Sequence, residues 1–107
     1  MDAFTKALRY SELLSLYGNL LSQTQKDILE DYYSFNLSIS EIAENRHVTR
    51  SAVEDAIKKG QKKLDQLENQ IGNLAVIEKI YDLKNSNSDT KLISSLEEIE
   101  RMMKHGI

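Results

Sequence analysis

From Arg50 to Lys84 the chain carries no residue that stops a helix, and only Gly60 and Gly72 weaken one, each costing about 1 kcal/mol relative to alanine. Proline is absent from all 107 residues and glycine occurs four times. That composition permits long uninterrupted helices and argues against a turn-rich β architecture, so the expected fold class is all-α. A chain of this length holds one compact core, or a small domain with an extended helical appendage.

The apolar spacing divides the chain into helices. Leu8, Leu13, Leu16, Tyr17, Leu20 and Leu21 recur at helical intervals from Asp2 onward, predicting a first helix that ends near Gly18. Ser22 and Gln25 have the form of a capping box, opening a second helix that carries Ile28, Leu29, Tyr32 and Tyr33 and fades at Ser34 to Asn36. Ser38 and Glu41 repeat the device. The helix they open must be short, because His47, Val48 and Thr49 are poor helix formers and Thr49 is itself an N-cap type. Beyond it, one long helix, or two nearly collinear ones broken at a glycine, runs to Asn85. Ser88 or Asp89 then caps a last helix with Leu92, Leu96, Ile99 and Met103 on one face and Gly106 as its C-cap.

Two short helices meeting at a tight turn are what a helix-turn-helix requires, since the second must project its first turns into the major groove. Between Ile39 and Lys58, Ile42 supplies the inner face of the support helix and Ala43 is small where the helices approach. Val48 is expected to plug the turn, while Val53 and Ala56 face back from the recognition helix. An ordinary αα-hairpin is the plainer alternative. Agreement of apolar spacing, small residue and cap favours the sharper reading.

This segment resembles the last helix-turn-helix of bacterial sigma factors, in which an apolar-small pair, a Val-Thr-Arg turn and a further apolar residue follow in the same order. Over nearly the whole chain, Tyr17, Leu20 and Leu21, then Thr24-Gln25-Lys26, Tyr32-Tyr33, the run Ser38 to Glu44 and the run Val48 to Val53, with Asp55 and Ile57-Lys58, look like the YlxM family. The resemblance implies a wingless member of the winged-helix-like DNA-binding superfamily with long C-terminal helices. It implies a non-enzymatic regulator of the low-GC Gram-positive and mycoplasma lineage, encoded near the signal recognition particle GTPase and acting in or on that pathway. The partners it implies are DNA, bound weakly, or a signal recognition particle protein or RNA.

Net charge is −3, but residues 39–63 alone carry more Lys and Arg than Asp and Glu. The candidate nucleic-acid contacts are Arg50 for groove or phosphate, Ser51 for base or phosphate, Glu54 for a cytosine amino group, and Lys58, Lys59 and Lys62 for phosphates. Glu54 and Asp55 also repel phosphate. The lysines have a second reading as a solvated face, paired along the helix with acidic neighbours.

Ile57, Gly60, Leu64, Leu67, Ile71, Leu74, Glu78 and Tyr81 alternate spacings of three and four, a heptad seam that can fold back on the chain's own last helix or pair with a second copy. Ile57, Leu64, Leu67, Ile71 and Leu74 are the expected dimerisation residues. The corresponding division is a helix-turn-helix domain at 1–63 and a dimerisation extension at 64–107. No cysteine is present, the first ten residues lack the apolar stretch of a secretory signal, and no run nears the roughly 20 apolar residues that span a bilayer. A cytoplasmic protein without membrane insertion is expected. His47 and His105 lack ligand-spaced partners, and no catalytic or cofactor motif is present, so neither metal, cofactor nor enzymatic activity is expected.

Overall fold

The computed structural model describes residues 2–105, and among them the fold is all-α. The helices are α1 Ala3–Tyr17, α2 Gln23–Leu29, α3 Ile39–Arg46, α4 Arg50–Ile71, α5 Asn73–Asn85 and α6 Thr90–His105. The expected C-cap Gly106 lies outside the described residues.

Most boundaries rest on local hydrogen bonds that the side chains themselves supply. Asp2 accepts from the Thr5 N–H at 2.7 Å and opens α1. Ser22 accepts from the Gln25 N–H at 3.2 Å to open α2. At α3 both halves of the capping box form: Ser38 Oγ takes the Glu41 N–H and Glu41 Oε1 takes the Ser38 N–H. Asp89 rather than Ser88 caps α6, accepting from the Lys91 and Leu92 N–H groups.

The helical stretch opened by α2 ends at Ser34, as expected, but its last turn, Glu30–Ser34, is widened into a π turn closed by Phe35 N–H to Glu30 O. The turn half-buries Tyr32 and Tyr33, and Tyr33 stacks on Tyr10 with ring centroids 5.2 Å apart.

The long helical stretch breaks at Gly72, not Gly60. Gly72 adopts φ +75°, a left-handed geometry open to glycine, and its N–H returns to Glu68 O. Gly60 is buried inside α4, where a Cβ would lie 2.5 Å from Leu29 Cδ1; its missing side chain lets α2 and α4 approach.

One core joins the parts. Leu13, Tyr17, Leu29, Ile42, Val53 and Leu64 are wholly buried, with Ile57, Leu67 and Leu74 beside them. The seam is therefore satisfied within the chain: Ile57, Leu64, Leu67 and Leu74 pack in the core that α1 and α2 complete, and of the expected dimerisation residues only Ile71, 44% exposed, stays outside it. The border expected at residue 63 falls within the unbroken α4. Past the turn at Gly72, Glu78 and Tyr81 leave the seam and are exposed.

Candidate nucleic-acid interface

The corner between α3 and α4 is built from backbone geometry as much as from apolar packing. His47 takes φ +57°, its N–H bonds Glu44 O and the Val48 N–H bonds Ala43 O, which together form a Schellman closure of α3. Two residues later Thr49 Oγ1 accepts from the Ala52 N–H at 3.0 Å and starts α4. Ile42, Ala43 and Val53 fill the inside of the corner, and Ala56 is partly buried against it.

Val48 does not plug the turn; it is 43% exposed. The left-handed residue at His47 reverses the chain by hydrogen bonding, so the turn closes without a buried side chain at 48. The Ile42–Ala43–Val53 packing carries the junction instead. From outside, Arg46 ties the end of α3 to Asp31 of the π turn at 2.6 Å, and that carboxylate holds the guanidinium more firmly protonated. Nothing about Arg46 in the sequence set it apart from the other surface cations, because its partner lies fifteen residues upstream.

Arg50, Ser51, Glu54, Asp55, Lys58, Lys59, Lys62 and Lys63 are all exposed on α4. Arg50 and Ser51 stand at the free N-terminal turn, where unpaired backbone N–H groups favour an anion. The lysines begin two turns further on. Glu54 and Asp55 separate the two groups, and Asp55 engages Lys59 at 3.0 Å through an i,i+4 pair. The basic surface is thus interrupted rather than continuous. Glu41 of the support helix is held below the usual carboxylate range by its bonds to Ser38, and so adds a persistent negative charge beside it.

A second constellation escaped the sequence reading. Glu68 Oε1 accepts from the Tyr17 hydroxyl at 2.7 Å and from the Leu74 N–H at 3.0 Å, while Oε2 accepts from the Ala75 N–H at 3.2 Å. The Tyr17 oxygen in turn accepts from the Asn73 N–H. Glu68 therefore caps α5 from the preceding helix, across Gly72. Its signal in the sequence, one glutamate four residues before a glycine, is indistinguishable from a surface charge.

Among the described residues no group of His, Asp or Glu side chains is placed to hold a metal ion, and no helix is long and apolar enough to cross a membrane.

Residues 4–104 match the model of the UPF0122 family, described as "Putative helix-turn-helix protein, YlxM / p13 like". The chain is 39% identical over 90 residues to a UPF0122 protein of Malacoplasma penetrans, covering 84% of each chain. It is 34% identical over 102 residues to one of Clostridium acetobutylicum, covering 85% of this chain and 88% of that one. A UPF0122 protein of Lactococcus lactis is likewise 34% identical, over 91% of this chain and 92% of its own. With a capped helix-turn-helix at its centre and a family match along almost its entire length, the chain belongs to the YlxM/p13-like helix-turn-helix family UPF0122.

Proposed function

We propose that this chain is a non-enzymatic, cytoplasmic helix-turn-helix regulator that binds duplex DNA weakly and acts in or on the signal recognition particle pathway. The observation that carries the reading is the packed corner of Ile42, Ala43 and Val53, which leaves the capped first turn of α4 exposed with Arg50 and Ser51 on it. Arg50 reaches a base edge or phosphate, Lys58 and Lys62 neutralise phosphates along the backbone, and Lys59 does so once released from Asp55. Glu54 is left to accept from a cytosine amino group.

Affinity is low because Glu54 and Asp55 stand between these cations. Two copies on a palindromic site belong to the same reading. Their contact falls to Ile71 and to the exposed apolar residues Val76, Leu92 and Ile99 of the last two helices, since the heptad seam is occupied within the chain.

Titration of a labelled duplex pool at low salt tests the reading. Retention should weaken with salt, and Arg50→Ala should lower it and reduce the salt slope by about 1. Retention that ignores both salt and Arg50 sinks it.

The interrupted ridge favours a second reading, an interaction module for a protein or RNA component of the signal recognition particle with the helix-turn-helix as scaffold. Copurification before and after nuclease treatment separates the two, because only a DNA-borne association disappears with deoxyribonuclease.

A further inference from the structure

The side of α1 carrying Leu8, Glu12, Ser15 and Leu16 faces α5 and α6 across an open cleft of about 670 Å³. Its origin lies at Gly72. The left-handed turn there, held by Glu68, sets Leu74 in the core beside α1 with Ile77 packed against it, while Glu78, Tyr81 and Asp82 further along α5 line the open cleft. Helix α6 packs on α5 and leaves this side of α1 uncovered: Leu8 is 51% and Tyr81 61% exposed, on opposite walls.

The floor is apolar and the rim is acidic. Leu16 and Leu74 are buried at the base, with Ile77 half-buried beside them. Around them stand Glu12, Glu78 and Asp82, all exposed and, among the described residues, without an ion-pair partner. Glu100 differs, being engaged by Lys84 at 3.4 Å and Lys104 at 3.3 Å. An apolar trough between helices takes a further helix by its i, i+3, i+4, i+7 stripe, and flanking charge selects the sequence of that helix.

We propose that this cleft receives an amphipathic helix of a protein partner, with lysine or arginine bordering its apolar stripe. Nucleic acid is disfavoured by the three unpaired carboxylates. A second copy fits poorly, because the lysine-rich helix α4 already buries its apolar stripe, and α6 sets Glu97, Glu98 and Glu100 against Lys91, Arg101 and Lys104. The proposal is independent of DNA binding, since neither Arg50 nor the α4 lysines line the cleft.

Fluorescence anisotropy on the full chain provides the test, using a labelled helical peptide of about 16 residues with Leu on one stripe and Lys elsewhere, and a twin with Glu for Lys. The Lys peptide should bind and weaken with salt, and the Glu twin should not bind. Glu78→Lys with Asp82→Lys should lower affinity about tenfold or more, and Ser15→Trp, at an exposed position in the cleft, should obstruct the peptide. Glu44→Lys with Asp55→Lys makes the same change in net charge at exposed positions outside the cleft and should leave affinity within about twofold. Circular dichroism checks whether each variant keeps its helix content, and the surface charge reversals decide the matter if Ser15→Trp does not fold. Failure of the Lys peptide to bind, equal losses from the two charge-reversed pairs, or a dimer that Ser15→Trp dissolves would each overturn the proposal, the last by assigning the cleft to a second copy.

Discussion

Gly60 and Gly72 are both helix-weakening residues in the sequence, yet the structure uses them for opposite purposes. Gly60 has helical geometry and no room, since Leu29 is buried against it. Gly60→Ala gains helix propensity but overpacks that contact, and a net loss of about 1–2 kcal/mol in urea unfolding is expected. Gly72 has room but a positive φ, so Gly72→Ala should cost about 1 kcal/mol through backbone strain alone. A Leu29→Ala background should relieve the first substitution and leave the second unchanged.

Tyr10 donates to Asp65 at 2.8 Å, and burial, reinforced by that carboxylate, pushes its phenol up to about 12 from 10.0. The neutral form is the one the fold favours, so the contribution is complete below pH 10 and lost as pH rises towards 12. The stability advantage of the native chain over Tyr10→Phe should therefore vanish across that interval in urea titrations.

Helix boundaries were legible wherever a cap and its partner lie three residues apart. Ser22, Ser38 and Thr49 announce α2, α3 and α4 because the hydroxyl, the backbone donor and the spacing are all local. Thr49→Ala should cost about 1 kcal/mol and loosen the corner, seen as faster amide exchange at Arg50 to Val53.

The π turn and the cap on α5 were not legible. Glu30–Ser34 widens because Tyr33 must reach both Tyr10 and Gln61, partners far away in the chain. The start of α5 depends on a carboxylate in α4 and a hydroxyl in α1. Glu68→Ala strips the N–H groups of Leu74 and Ala75 of their acceptor, and a loss of about 1–2 kcal/mol with exchange concentrated in α5 is expected. Uniform exchange throughout the chain would show that Glu68 does not hold this junction.

At the scale of the molecule, α1 connects the two ends: Tyr10 and Tyr17 tie it to α4, and its opposite side walls the cleft with α5 and α6. The last helix buries only Leu96, and Leu92 and Ile99 remain 39% and 46% exposed. If copies pair through this surface, Val76→Glu with Ile99→Glu should give only the 12.3 kDa species in sedimentation at micromolar concentration, while the native chain sediments at twice that mass. A native chain that is monomeric under the same conditions removes pairing from the functional reading and leaves the corner intact.

What the sequence determined alone is what near neighbours decide: the all-α class, the capped starts of α2 to α4, and the helix-turn-helix corner with its Ile42, Ala43 and Val53. These depend on spacings within a helical turn or two, where residue type and geometry correspond almost one to one. Only the tertiary structure decided that the apolar seam of α4 is spent on the chain's own core, that Val48 is left outside a turn closed by His47, and that the helix breaks at Gly72. The first and last of those outcomes depend on side chains distant in sequence competing for the same space or the same hydrogen-bonding atom, and the second on a left-handed backbone at His47; periodicity carries no record of either.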